Sequence, residues 1–296
     1  MNRTFASLIF CAICLCAPVA AFATTIPTVP VGNVSNGNDP LTGNLYGGVS
    51  YAYSIGTTEV TNAQYADFLN AKAASDPLGL YNVNMGSNAR GGIAQSGVSG
   101  GFTYAPKTNM ADKPVNFVSW YDSIRFANWL NNGQGTGSTE TGAYTILGNT
   151  ATPSNGLSIT REPGATWFLT SESEWYKAAY YQPAAQGGDV DNYWLYPTKS
   201  NSAPTVATAD SVGNINNTVS PPFANYLNGA VWNGQTGNVT TVGSAGPLSQ
   251  GFYGTSDMAG NVFEWNEALI GSSRGVRGGA FDVSATSLQS SNRSNN

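Results

Sequence analysis

Three segments of the 296-residue chain place apolar residues at helical spacing directly after a capping residue. Thr61 precedes the first, with Gln64 three residues later; Ser119 precedes the second; and Thr170 or Ser171 precedes the third. A hydroxyl at the cap and a glutamine or carboxylate three residues on satisfy the free amides of a first helical turn. We therefore predict three short helices. The residues expected to face the core are Tyr65, Phe68, Leu69, Trp120, Ile124, Ala127, Leu130, Trp175, Ala178 and Ala179.

Strand patterns in the chain are short and widely separated. Alternation over residues 48–55 predicts a first strand, and 114–118 and 167–169 are expected to form brief strands. A glycine-rich basic strand over 274–280 follows a turn at 257–264. The segments predicted to be loops are 78–112, 132–160 and 182–250, which are rich in Gly, Asn and Ser. The pattern predicts an α+β fold, with a single irregular loop-rich domain, few short helices and a small antiparallel sheet.

The first residues have the pattern of a secretory signal. Arg3 provides positive charge, residues 8–15 form an apolar run too short for a membrane span, and residues 21–23 read Ala-Phe-Ala. We therefore expect cleavage after Ala23 and a secreted or periplasmic protein, with no transmembrane segment in the mature chain. The expected division is 1–23 signal peptide, 24–47 loose lead-in rich in Pro, Gly and Asn, and 48–296 domain.

The mature chain has few kinds of side chain that support catalysis. Its only cysteines, Cys11, Cys14 and Cys16, lie in the signal, and the chain has no histidine. Zinc sites built from Cys and His are therefore excluded, as are Cys–His and Ser–His catalysis. Metals are expected only on oxygen ligands, which favours calcium or magnesium. The full chain carries 12 basic and 17 acidic residues, so nucleic acid is not expected as a partner.

Four blocks in a set order resemble the sulfatase-modifying-factor domain, the domain of formylglycine-generating enzymes. They are 58–69 (TEVTNAQYADFL), 114–130, 168–179 and 257–281, and together they span about 230 residues of the chain. Each block alone is weak, because aromatic residues at helical spacing usually indicate core. The resemblance implies a single domain with a C-type-lectin-like core and long variable loops.

The resemblance also implies which residues catalysis would need. Family enzymes oxidise a cysteine of a client sulfatase to formylglycine, using oxygen and a copper held by two cysteines beyond the Arg-Gly-Gly strand. The positions of those cysteines are occupied in this sequence by Val283 and Leu288. Family members place a serine after Arg-Gly-Gly, and this chain has Ala280 there. The reaction needs a thiolate. A related branch uses histidine-bound iron, which this chain also lacks. No copper and no family chemistry are therefore expected.

The resemblance implies a calcium ion in the turn before Glu-Trp. The matching ligands are the Asp257 side chain, the Gly260 and Val262 carbonyls, and the Glu264 side chain. Two carboxylates and two carbonyls at this spacing, with a glycine for the bend, suit a calcium site. The alternative is a plain turn, in which Asp257 caps backbone amides and Glu264 pairs with Arg274 or Arg277.

Two further groups are weaker candidates. A second family calcium site would fall at Asn225 and the Tyr226 carbonyl, with further ligands among residues 233–235. Glu172 and Glu174 lie two residues apart and do not face each other on a helix, so capping and solvation explain them better than an acid–base pair.

The expected function is that of a secreted, non-catalytic binding or surface-interaction module on a calcium-stabilised scaffold, with an unknown protein or carbohydrate as ligand. The alternative is an oxidoreductase of the family with altered chemistry. A third reading is a decayed or C-terminally truncated homologue. Family domains normally continue to a Gly-Phe-Arg strand that closes the sheet, and secreted bacterial relatives often carry a sorting tail beyond it; neither is seen before Asn296, so we expect an uncovered strand edge.

Overall fold

Short helices and strands are spread along residues 23–296, the part of the chain that the computed structural model describes. The predicted signal, apart from Ala23, lies outside the described residues. The helices are α1 (Asn62–Lys72), α2 (Asn84–Ser87), α3 (Trp120–Asn131) and α4 (Glu172–Tyr180). The strands are β1 (Thr28–Val31), β2 (Tyr53–Gly56), β3 (Ile93–Ser96), β4 (Thr103–Pro106), β5 (Thr205–Val206), β6 (Phe223–Ala224), β7 (Glu264–Ile270), β8 (Ser273–Arg277) and β9 (Ser294–Asn295). No helix between residues 23 and 296 is both long and apolar enough to span a bilayer.

The three predicted helix starts are confirmed. Thr61 caps α1 and Ser171 caps α4, each in a complete capping box with Gln64 or Glu174. Ser119 caps α3, where its hydroxyl accepts a hydrogen bond from an amide of the first turn. Because these bonds join residues three apart, the sequence alone determines where each helix begins.

The strands form four small sheets in the described region. β1–β2 and β3–β4 are antiparallel pairs, β5–β6 is a short parallel pair, and β7–β8–β9 is antiparallel. The prediction that 78–112 is a loop is wrong, because α2 and the β3–β4 hairpin lie there. The 24–47 lead-in is not loose, since β1 pairs with β2 from Thr28 to Val31. Residues 114–118 and 167–169 form no strand; Pro114 makes only an isolated bridge.

The expectation of an uncovered strand edge is also wrong. Ser294 pairs with Val276 and Asn295 with Gly275, so β9 covers the outer side of β8. The Arg274 amide also donates to the Asn296 carbonyl at 3.1 Å. The basic glycine-rich strand is therefore the middle strand of its sheet.

Aromatic side chains form the two largest packed clusters. Phe68 of α1 and Phe126 of α3 meet edge to face, with ring centroids 5.4 Å apart. Trp175 of α4 lies in a second cluster with Val31 and Met258. Since α4 also packs on β7 and Met258 belongs to the turn before β7, this second cluster joins the turn to α4.

Buried ion pairs anchor α4 to the rest of the domain. Glu172 pairs with Arg277 and Arg293, and Glu174 pairs with Arg161. The predicted capping role of Glu174 is confirmed, but the prediction that solvation explains both carboxylates is wrong. Both carboxylates are buried, and their arginine partners come from outside the helix.

Candidate functional site

The turn before β7 is held in a tight left-handed path. Asp257, Gly260 and Asn261 have φ values of 59°, 83° and 62°. A Cβ on Gly260 would lie 2.1 Å from the Asn225 carbonyl oxygen, so only glycine fits. The Gly260 amide donates to the Gly278 carbonyl at 2.8 Å, and the Asn261 amide donates to the Asn225 carbonyl at 2.8 Å. The turn is thus fixed between residue 225 and the Arg-Gly-Gly segment.

The ligands predicted for the first calcium site all belong to this turn, and several of their oxygens accept no hydrogen bond from residues 23–296. One carboxylate oxygen of Asp257 accepts from the Gly243 amide, and Glu264 Oε2 accepts from Trp175 Nε1 at 2.6 Å. Within residues 23–296, no hydrogen bond reaches the carbonyl oxygens of Gly260 and Val262. Oxygens that point away from protein donors in a tight turn suit a hard cation.

The plain-turn alternative is only partly seen. Asp257 does accept a backbone amide, as that alternative expects. Glu264 forms no ion pair with either arginine, however. Arg277 pairs with Glu172, and Arg274 donates to main-chain carbonyls at 2.8–3.1 Å. Glu264 is therefore left without a cationic partner in the part of the chain that is described.

Glu59 is a third carboxylate at the turn, and sequence reasoning missed it. Both of its oxygens are shielded from solvent and accept no hydrogen bond from residues 23–296. Burial raises the pKa of Glu59 well above its usual value, and the charges of Asp257 and Glu264 raise it further. Burial also raises the pKa values of Asp257 and Glu264. Glu59 lies in the first family-like block, but nothing local to that block indicates that it faces a turn 200 residues later.

The donor set fits a calcium ion only if main-chain oxygens take part. Among the described residues, no group of three or more Asp or Glu side chains is placed to hold a metal ion. The Asp257 and Glu264 carboxylates together with the Gly260 and Val262 carbonyls would supply four oxygens, and calcium commonly completes such a shell with water. A cation here would also offset the negative charge that burial disfavours.

The residues of the weaker calcium site lie close to the same turn. Asn225 forms a parallel bridge with Gly260, and its side-chain Nδ2 donates to the Asn238 carbonyl at 2.8 Å. Its Oδ1 is buried without a donor from the described chain. The Tyr226 carbonyl accepts from the Gly229 amide at 3.1 Å. Asn225 is thus bonded to the turn itself, and the second calcium site with residues 233–235 stays a prediction.

Val283 and Leu288, where the resemblance implies copper-binding cysteines, are packed apolar side chains. A Cβ on Gly279 would lie 2.6 Å from Leu288 Cδ2 and 3.2 Å from Val283 Cγ2, so both side chains flank that glycine. Leu288 is fully buried, and Ala280 is also buried. The side chain of Leu288 joins a cluster with Tyr196, Ala224, Tyr226 and Ala259.

A largely apolar cavity of about 260 Å³ opens beside the turn. Thr58–Val60 form one part of its wall and Val262–Trp265 form another, while Phe168 and Trp175 contribute aromatic surface. The turn and the segment that carries Glu59 therefore border one cavity.

These features define a class: a single loop-rich α+β domain of small sheets and few short helices, with an oxygen-rich turn before its last hairpin. The model of the sulfatase-modifying factor enzyme 1-like domain matches residues 22–296, and the chain belongs to this family.

Solved structures are similar in fold. The crystal structure of CarF is 21% identical, with 93% of each chain covered and a TM-score of 0.55, a likeness that concerns the fold alone. Treponema denticola variable protein 1 is 17% identical, over 91% of this chain and 88% of that one, with a TM-score of 0.48. A search of curated proteins finds no significant match.

Proposed function

We propose that this chain is an exported, non-catalytic member of its family that serves as a binding or surface-interaction module for a protein or carbohydrate. One observation carries the proposal. Where the resemblance places two copper-binding cysteines, Val283 and Leu288 pack on Gly279, and Leu288 is fully buried. Residues 23–296 contain no cysteine or histidine that could take over from them.

A calcium ion at the Asp257–Glu264 turn is the second part of the proposal. Asp257, Glu264 and the carbonyls of Gly260 and Val262 would hold the ion. When bound, it supplies a fixed positive charge that joins these oxygens and reduces the repulsion between the carboxylates. The protein itself already fixes the turn through the amides of Gly260 and Asn261. The ion is therefore a structural one, which stabilises the scaffold from which the loops extend.

The loops are the expected ligand-binding surface. Function in such domains is commonly carried by loops on a rigid scaffold. The segment 132–160 contains only one short 3₁₀ helix, and many of its residues are exposed. Exposed loops on a domain of capped helices support a recognition role.

The catalytic part is tested with the purified mature protein and a peptide that contains Cys-x-Pro-x-Arg. We expect no formylglycine by mass spectrometry with or without added copper, and oxidation of the peptide would overturn the non-catalytic reading. Arrays of glycans and of peptidoglycan fragments test the binding part. N-terminal sequencing of exported protein tests cleavage after Ala23.

The calcium part is tested by thermal unfolding. Calcium should raise the Tm of the wild type. At a calcium concentration 100 times Kd, binding stabilises the folded state by about 2.7 kcal/mol. The double variant Asp257→Ala/Glu264→Ala should lose this response, and Asp282→Asn, which alters an exposed carboxylate, should keep it. Equal responses in all three proteins would remove calcium from this turn.

A further inference from the structure

We propose that Glu59 belongs to the cation centre at the Asp257–Glu264 turn, where it accepts hydrogen bonds from water bound to the ion rather than binding the ion directly. This inference rests on the calcium site proposed above. It adds a residue from a distant part of the chain to a site that is otherwise formed by one turn.

The first argument is the unmatched charge. Glu59 and Glu264 line one cavity, both oxygens of Glu59 are shielded from solvent, and the charge of Asp257 raises the pKa of both glutamates. None of the ion pairs between residues 23 and 296 involves any of them. Buried carboxylates normally pair with a cation or coordinate a metal. An added divalent cation provides the missing charge.

The second argument is the unmatched oxygens of Glu59. Neither oxygen has a hydrogen-bond donor among residues 23–296, although the neighbouring carboxylates each accept one hydrogen bond. Because no three acidic side chains here are placed to hold a metal together, direct binding by Glu59 does not fit the geometry. Water bound to a calcium ion carries the O–H donors that these oxygens need, and such outer carboxylates commonly orient metal centres.

The arrangement would join two distant segments through the ion. Glu59 lies between β2 and the cap of α1, whereas the turn immediately precedes β7. Thr58–Val60 and Val262–Trp265 border the same cavity. Occupation of the site would therefore fix the distance between two walls of the cavity, so ion binding would control its width.

Calorimetric titration with calcium tests the proposal, with Glu59→Gln as the variant. Gln has nearly the shape of Glu without the charge, so it also resembles a protonated Glu59. If Glu59 accepts from bound water as an anion, Glu59→Gln should weaken calcium binding by about 10–100-fold. If Glu59 is only a neutral buried acid, the affinity stays unchanged and the proposal is overturned. Asp282→Asn is the control for loss of one exposed carboxylate.

Terbium luminescence distinguishes direct binding of the ion by Glu59 from a contact through bound water. Trp175 donates to Glu264, so it lies close enough to sensitise terbium at the turn. Lifetimes in H₂O and D₂O give the number of waters on the ion. We expect Glu59→Gln to lower the affinity and leave this number unchanged; a gain of water would overturn the water-mediated contact. If the wild type binds neither calcium nor terbium, both this inference and the calcium site fail. If the wild type binds them and Glu59→Gln binds them with the same affinity, this inference alone fails.

Discussion

Glu172 is a buried anion on which two arginines converge, and its replacement by Gln removes the charge with little change of shape. Arg277 donates to it from Nε at 2.9 Å and from Nη2 at 2.7 Å, and Arg293 donates from Nε at 2.8 Å and from Nη2 at 2.7 Å. The side chain of Arg277 is 1% exposed, whereas that of Arg293 is 32% exposed. In Glu172→Gln, one guanidinium is therefore buried without an anion, while water can reach the other.

The expected magnitude follows from this difference in burial. Removing one partner of a buried pair costs about 3–5 kcal/mol, because the remaining charge is left uncompensated. For a domain of this size, that corresponds to a fall in Tm on the order of 10 °C. Arg293→Gln should cost only about 1 kcal/mol or less, since a third of that side chain is already in water and Glu172 keeps its buried partner.

Urea unfolding followed by tryptophan fluorescence measures both variants against the wild type, with Asp282→Asn as a control for loss of an exposed carboxylate. The slope of the unfolding free energy with urea should stay constant, so that the midpoints can be compared. If Glu172→Gln loses less than about 1 kcal/mol, or no more than Arg293→Gln, then burial of the Arg277 charge does not determine the stability here.

Three more outcomes are expected. Burial would raise the pKa of Glu174, but hydrogen bonds from an arginine, a backbone amide and a tyrosine hydroxyl outweigh it and hold the pKa below its ordinary value of 4.5. The wild type should therefore be more stable than Glu174→Gln above that pH, and this advantage should disappear as the pH falls through the lowered pKa. Urea unfolding across this pH range measures the difference. Gly260→Ala should destabilise the protein by more than about 2 kcal/mol and abolish the calcium response, whereas Gly271→Ala, also at positive φ but with no atom near its Cβ, should cost about 1 kcal/mol by thermal unfolding. Leu288→Ala should cost about 2–5 kcal/mol, against less than about 0.5 kcal/mol for the exposed Val190→Ala, measured by the same method.

Local interactions account for the parts of the fold that the sequence predicts. The caps at Thr61, Ser119 and Ser171 bond residues three positions away, so the pattern contains both partners. The hairpin of β3 and β4 escaped prediction because its flanking Gly and Asn residues resemble those of a surface loop. Its stability comes instead from Ile93 and Tyr104, which pack in the α1 cluster.

The candidate site shows the same division between near and far partners. The proposed calcium ligands from Asp257 to Glu264 lie within eight residues, so a single block of sequence indicates them. Glu59 meets them only through the tertiary fold, as Glu172 meets Arg277 across 105 positions. Neither pairing leaves a periodic or local signal. This is why solvation was the wrong explanation for Glu172, and why Glu59 was missed altogether.

The segment after Arg-Gly-Gly, where the resemblance implies two copper-binding cysteines, is filled by apolar packing. The Tyr180 hydroxyl donates to the Leu288 carbonyl at 3.0 Å, and the Leu288 side chain packs against Gly279 inside an apolar cluster. A pair of metal-binding cysteines needs contact with a substrate and with oxygen, whereas Leu288 has no solvent exposure. Placing a cysteine at position 288 would exchange core packing for a buried polar group and leave a void. We therefore expect any activity of this protein to come from its loops or from the cavity beside the turn.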